Sequence, residues 1–171
     1  MDGKVTIVLP TYNGERYIEK SIKSILEQTY VNWELIVVND CSTDNTAKIV
    51  EEYTLKDNRI QLVNNSTNQR LPRALNIGFE KATGDYYTWT SDDNAYHRDA
   101  LETMAGELKT YPDIDFVYSN FNVIDLTDGK IIGVEKKKEP QELCFTNTVG
   151  ACFLYKKELA AKIGKYDPNF F

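Results

Sequence analysis

Three cysteines, one histidine and no long apolar run in 171 residues remove several classes of protein at the outset. Cys41, Cys144 and Cys152 include no C-x-x-C pair, and an odd number cannot close into a full disulfide set. Their scarcity suits a reducing, cytoplasmic compartment and reads as small buried or half-buried thiols. With His97 alone, neither a His-based triad nor a His-rich zinc site is available, and this residue reads as a cap or decoration of the following helix. Nowhere do about 18 apolar residues stand together, and Met1 leads into a strand pattern without a cationic leader. No membrane segment is therefore expected in this chain, although a longer parent could still meet the cytoplasmic face of a membrane through other segments. The glycines form neither G-x-G-x-x-G nor G-x-x-x-x-G-K-[ST], so a dinucleotide fingerprint and a Walker loop are both missing. Lys and Arg number 20 against 26 Asp and Glu, and the resulting charge of -6 would repel a nucleic acid. There is no internal repeat and no low-complexity tract.

What is present is 42% hydrophobic residues arranged with clear periodicity. Val5-Thr6-Ile7-Val8-Leu9 and Leu35-Ile36-Val37-Val38 are short β-branched runs that read as buried parallel strands. Between them Tyr17, Ile18, Ile22, Ile25 and Leu26 recur at helical spacing. The dense capping set Asp40-Cys41-Ser42-Thr43-Asp44 precedes a second helix carrying Ala47, Ile49, Val50 and Tyr53, and residues 60–63 supply a third strand. A third helix places Leu71, Ala74, Leu75, Gly78, Phe79 and Ala82 on one stripe, and residues 85–89 form a fourth strand that ends at Ser91-Asp92-Asp93. Four such units demand a mostly parallel sheet with helices on both faces. After about residue 110 the strands crowd together, with Asp128-Gly129 as a hairpin turn, so the sheet should become mixed. Residues 136–142 read as a polar mobile loop, either a solvated connection or a lid on the acceptor side. Residues 151–155 give one more strand, and a short helix stops at Gly164. The whole of residues 1–171 reads as a single domain.

In an open parallel sheet, ligands bind beyond the carboxyl ends of the strands. Those ends carry Pro10-Thr11-Tyr12-Asn13, Asn39-Asp40 and Ser91-Asp92-Asp93-Asn94, so Asp40, Asp92 and Asp93 should converge on one rim. Asp and Asn after a strand also cap the next helix or shape a turn, which is the plainer reading of Asp40 alone. The adjacent pair is harder to dismiss, because neighbouring carboxylates repel unless a cation relieves them. A hard divalent ion, Mg2+ or Mn2+, needs only one or two protein carboxylates to hold a diphosphate.

Val8-Leu9-Pro10-Thr11-Tyr12-Asn13, Tyr17-Ile18 and Ser24-Ile25-Leu26-Glu27-Gln28-Thr29-Tyr30 closely resemble the opening of inverting family 2 glycosyltransferases. Val38-Asn39-Asp40-Cys41-Ser42-Thr43-Asp44-Asn45-Thr46 resembles that family's V-D-D-G-S-T-D-N-T, and Ala82-Thr83-Gly84-Asp85-Tyr86 with Ser91-Asp92-Asp93 resembles its approach to a D-x-D-like metal motif. Residues 150–155 and 163–167 look like the stretch leading to an acidic E-D motif. The resemblance implies a GT-A fold, a Rossmann-like three-layer sandwich with a small antiparallel portion in its C-terminal third. It implies a UDP-linked sugar as donor and transfer to an acceptor hydroxyl with inversion, in polysaccharide synthesis. Pro10 and Tyr12 would line the base pocket, Asp40 would accept from the base, and Glu15 would help at that edge. Arg70 and Arg73 would touch phosphate, Asp92 the ribose or a metal-bound water, and Asp93 the metal. The resemblance places the catalytic base after Phe171, so this chain is expected to bind nucleotide while transferring sugar poorly. Two departures stand out: Asn39 replaces the family's first acidic residue and Cys41 its glycine. Asp40 is retained, which keeps base recognition, and Cys41 has no paired histidine to make it a nucleophile.

Two rivals remain at this level. A nucleotidyltransferase would use a similar sheet and carboxylate-held Mg2+, but would carry a glycine-rich basic loop where this chain has Tyr12-Asn13-Gly14-Glu15. A module binding a nucleotide sugar or glycan without turnover would share the donor site.

Overall fold

The computed structural model describes residues 3–125, 127, 129–139, 141, 149–150 and 152–169. Four strand–helix units come first: β1 (Val5–Thr11), α1 (Ile18–Leu26), β2 (Trp33–Asn39), α2 (Thr46–Thr54), β3 (Ile60–Asn64), α3 (Arg70–Phe79), β4 (Tyr86–Trp89) and α4 (Ala100–Thr110). They are followed by β5 (Phe116–Tyr118), β6 (Phe121–Ile124), β7 (Ile131–Glu135), β8 (Phe153–Lys156) and α5 (Lys157–Ile163). Six strands form one sheet in the order β3-β2-β1-β4-β8-β5, and β6 pairs with β7 in a separate antiparallel ribbon. β8 runs antiparallel to both neighbours, while the pairings among β1 to β4 are parallel. The expected GT-A layering, mostly parallel with a late antiparallel portion, is what the chain builds.

Period-two alternation sorts the core. Val5, Ile7 and Leu9 of β1 and Leu35 and Val37 of β2 pack with Ile18, Ile22 and Ile25 of α1, Val50 of α2 and Leu101 of α4. Val8, Ile36 and Val38 point the other way, against Ala74 and Leu75 of α3. A strand buried on both faces has to be apolar at nearly every position, and all residues of β1 and β2 are buried. Each fully buried isoleucine of α1 contributes about 2 kcal/mol of hydrophobic stabilisation. Beyond β4 the packing turns aromatic: Tyr87, Phe153 and Tyr155 form a third cluster with Leu159 and Ala160 of α5.

Two local readings change. Leu71, expected in the apolar stripe of α3, is 39% exposed, and Pro72 is buried instead. Arg70, at φ 63°, turns the chain into the helix so that Pro72, which lacks an N–H and suits a first turn, faces inward. The lysine run is not a wholly solvated connection, because Lys137 lies over the Phe121 ring and its N–H donates to Asn120 Oδ1. Ala151, Asp128 and Cys144 lie outside the described residues. Among the described residues, no helix is long and apolar enough to cross a membrane.

At the rim opposite the strand carboxyl ends, Glu34 is buried to 3% exposure yet charged. Lys4 Nζ, the Thr6 hydroxyl and the Thr83 N–H donate to it at 2.6, 2.6 and 2.7 Å. Burial pushes its carboxyl upward, but these donors outweigh burial and hold it below the usual glutamate value. A depressed carboxylate adds stability above its unfolded value of 4.5 and loses it as pH falls through the lower folded value. Glu34→Ala should therefore lower unfolding free energy by about 2 kcal/mol at neutral pH. In urea melts, the gap to the unmodified chain should narrow as pH is taken below that unfolded value; a gap independent of pH would contradict the charged assignment.

Candidate functional site

Parallel register brings the strand ends to one rim: Thr11 stands opposite Asn39, Asn39 opposite Asn64, and Val8 opposite Trp89. Thr11 then ties the loops on both sides of β1. Its carbonyl accepts the Asp40 N–H at 2.8 Å, and its hydroxyl donates to Asp92 Oδ2 at 2.5 Å. Sequence reasoning passed over Thr11 because it carries no charge and closes an apolar strand. The available signal was its place as the last residue of a central strand, between two strands that are each followed by an acidic loop.

The carboxylate of Asp40, a residue 4% exposed, is heavily engaged. Its Oδ1 accepts from Asn65 Nδ2 at 2.7 Å and from the Gln69 N–H at 2.8 Å, and its Oδ2 accepts from the Arg70 N–H at 2.9 Å. Asp40 therefore closes the N-terminal end of α3, where backbone N–H groups and the helix dipole favour an anion. The capping role expected of a strand-end Asp is real, and it serves the third helix. Arg70 meets Asp40 through its backbone, while the side chains of Arg70 and Arg73 are exposed. Tyr12 is 52% exposed at the rim, and Pro10 is buried in β1 opposite Val38.

Residues 13–15 are laced to the loop before α2. The Asn13 and Gly14 N–H groups donate to Ser42 Oγ and Thr46 Oγ1 at 2.9 and 2.8 Å, and Asn13 Oδ1 accepts from the Thr43 N–H at 2.8 Å. Glu15 Oε2 accepts from both the backbone and the side-chain nitrogen of Asn45, each at 2.9 Å. Burial pushes the Asp44 carboxyl up, but the Thr46 hydroxyl and N–H and the Glu15 N–H bring it below the usual aspartate value.

Asp92 is half-buried and Asp93 exposed. Burial, joined by the neighbouring Asp93 charge, pushes the Asp92 carboxyl upward against the Thr11 hydroxyl. Asp93 Oδ1 accepts from the Ser91 hydroxyl. A Cβ on Gly14 would stand 2.2 Å from Asp92 Oδ2 and 2.4 Å from Thr11 Oγ1, so only glycine leaves room for this arrangement. Among the described residues, no group of three or more His, Cys, Asp or Glu could hold a metal. Asp40 is engaged at the start of α3, so the carboxylates of this rim with oxygens left for an ion are Asp92 and Asp93, the pair the resemblance assigns to a metal. Two carboxylates, one of them penalised by burial and by the other's charge, fit a hard divalent ion that keeps several non-protein oxygen ligands.

Asn13, Cys41 and Arg70 have φ of 54, 66 and 63°, the left-handed region that favours glycine. All three belong to segments around Asp40, and Cys41 Sγ donates to the Ser66 carbonyl at 3.6 Å. That contact fits a structural thiol, as its lack of a histidine partner implied.

An α/β sandwich with an acidic pair at the carboxyl end of β4 and an anchored Asp after β2 defines a GT-A domain. Residues 6–164 match the model of Glycosyl transferase family 2, and the chain belongs to that family. It is 43% identical over 135 residues, 79% of its length, to an uncharacterized glycosyltransferase of Haemophilus influenzae, covering 54% of that protein. It is 34% identical over 151 residues, 88% of its length, to the Escherichia coli UDP-Glc:alpha-D-GlcNAc-diphosphoundecaprenol beta-1,3-glucosyltransferase WfgD, covering 57% of it. Its fold is shared with the mannosyltransferase PcManGT of Pyrobaculum calidifontis, solved in complex with GDP-Man and Mn2+. There the TM-score is 0.77 at 23% identity, over 99% of this chain and 49% of that one. The chain thus spans about half the length of these relatives.

Two outcomes follow from this geometry. Cys41→Gly should leave stability unchanged or raise it by up to about 1 kcal/mol, whereas Cys41→Val should cost about 1–2 kcal/mol in denaturant titrations, because a β-branched residue fits the left-handed region worst. Asp92→Asn keeps an acceptor for Thr11 while removing one of two adjacent charges, so without metal its thermal midpoint should rise; a fall would show that the pair is not in conflict.

Proposed function

We propose that this chain is the donor-binding part of a glycosyltransferase that moves a sugar from a nucleoside diphosphate, UDP-linked, to an acceptor hydroxyl with inversion. The observation that carries the reading is Asp92, fixed to the end of β1 by Thr11 at a point where Gly14 alone leaves room. Asp93, with Asp92 beside it, would hold Mn2+ or Mg2+, which when bound neutralises charge gathering on the departing diphosphate. Tyr12 stacks on the base and Pro10 lies under it. Asp40 and Glu15 supply the acceptors at its edge, Asp40 through lone-pair capacity left beside its three donors. The guanidinium groups of Arg70 and Arg73, at the start of α3, reach the phosphates. Asp92 orients the ribose or a water on the metal. In the proposed division of labour, the carboxylate that takes the acceptor's proton lies outside these 171 residues, so the chain alone binds donor without appreciable transfer. The reading puts the reaction in polysaccharide synthesis on the cytoplasmic side.

Support comes from family membership, from a relative named for a UDP-Glc donor and from a fold neighbour solved with a nucleotide sugar and Mn2+. The Tyr12-Asn13-Gly14-Glu15 segment, acidic and laced to the loop before α2, favours transfer over nucleotidyl chemistry, which would want basic groups there. Calorimetry should show UDP binding that requires Mn2+ and weakens by about 100-fold in Asp93→Ala, the scale expected when a divalent bridge is lost. Unchanged binding in that variant would refute the metal assignment.

A further inference from the structure

Residues 90–99 join β4 to α4 without helix or strand, and they carry both Asp92 and Asp93. The backbone polar groups of such a loop need partners, and several of them are found on α1 and the residues just after it. Ser21 Oγ donates to the Ser91 carbonyl at 3.2 Å, and the Tyr96 N–H donates to Ser24 Oγ at 3.0 Å. Gln28 holds two groups at once: its Nε2 donates to the His97 carbonyl at 2.7 Å and its Oε1 accepts the Leu101 N–H at 3.0 Å. The Thr29 N–H adds a bond to the Arg98 carbonyl at 2.9 Å. Ser21, Ser24 and Gln28 are only 1, 9 and 5% exposed, and the two serines interrupt a buried face of α1 that is otherwise Ile18, Ile22 and Ile25. A buried polar group is a cost unless a partner answers it, and here the acidic loop answers. The same helix springs from the loop after β1, where the Gly14 carbonyl accepts the N–H groups of Tyr17 and Ile18, both at 2.9 Å. α1 is thus tied at its start to the segment that carries Tyr12 and along its side to the segment that carries the acidic pair.

We infer that Ser21, Ser24 and Gln28 are positioning residues of the donor site, setting through α1 where Asp92 and Asp93 stand relative to Tyr12. The inference rests on the donor reading and adds to it residues that touch no ligand. Apolar packing is non-directional and would let the loop slide along α1, whereas hydrogen bonds to particular backbone groups fix its register. Gln28 does most, because a single amide grips a carbonyl and an N–H on successive turns of the chain entering α4. The consequence falls on the metal. A hard divalent ion accepts a narrow range of ligand distances, so a carboxylate whose loop has drifted holds it less well.

The test is UDP calorimetry on the 171-residue chain at fixed Mn2+, at a temperature where circular dichroism shows each variant folded. Gln28→Leu removes a donor and an acceptor together, and Ser24→Ala removes one acceptor without adding bulk. Each should weaken Mn2+-dependent UDP binding by about tenfold, the lower end of what is lost with a group that orients a metal ligand. Ser24→Thr keeps the hydroxyl and should retain the unmodified affinity. Glu34→Ala is the comparison, since it lowers stability from the opposite rim and should leave UDP affinity unchanged. Should Gln28→Leu fail to fold, the two Ser24 variants decide. Unmodified affinity in folded Ser24→Ala overturns the inference, as does a loss that Ser24→Thr shares. An equal loss in Glu34→Ala overturns it too, by tying binding to stability alone. Absence of UDP binding in the unmodified chain, by contrast, defeats the donor assignment itself.

Discussion

The structure turns on one residue at the end of the central strand. β1 has β2 on one side and β4 on the other, both parallel, so the last residue of β1 is the one place from which the chain can reach the acidic loops of both neighbours. Thr11 does so with different atoms: the carbonyl takes the Asp40 N–H and the hydroxyl takes Asp92. A serine could supply both bonds, but the β-branched threonine also suits the strand it ends. Any topology that inserted a strand beside β1 would separate Asp40 from Asp92 by roughly another 4.8 Å of sheet spacing and leave Thr11 unable to touch both.

This rim is costly to hold. Two neighbouring carboxylates, a half-buried Asp and three non-glycine residues in the left-handed region all sit at the carboxyl ends of the strands. Each left-handed residue costs about 1 kcal/mol or more. The opposite rim and the layers are built the other way. Glu34 is met by donors from Lys4, Thr6 and Thr83, and the helices bury mostly apolar stripes against the sheet. Conflict concentrated at one rim, with compensation elsewhere, is the pattern expected where a ligand supplies the missing partner.

Much of this was legible in the residues, and the reasons are physical. The runs at 5–9 and 35–38 could only be strands buried on both faces, and Ile18, Ile22 and Ile25 recur at a helical period, so the parallel half of the fold follows from periodicity alone. The hairpin followed from spacing and a turn residue. Strand order did not, because nothing local says that β8 slides antiparallel between β4 and β5. Nor did the duty of Asp40. Its donors come from Asn65, Gln69 and Arg70, about 25–30 positions away, and a strand-end Asp reads as the cap of the next helix, not of the one after it. Leu71 misled for a related reason: its spacing is helical, but the left-handed Arg70 just before it resets which face of the first turn points inward.

The two halves of the chain also differ in what they are free to vary. β1, β2 and β4 hold the rim through hydrogen bonds that depend on register, and slipping any of them by one residue would turn its side chains to the opposite face. The proposed donor site, whose task would be to meet charge forming on a leaving diphosphate, would need that rigidity, since groups aimed in advance act without further reorganisation. The β6–β7 ribbon is outside the main sheet and its outward residues are not fixed by core packing. Substitutions there do not touch the contacts of Thr11, Asp40 or Asp92. The proposed donor chemistry thus rests on the parallel strands, where register fixes it, while the outward positions of the ribbon are ones where substitution is cheap in stability.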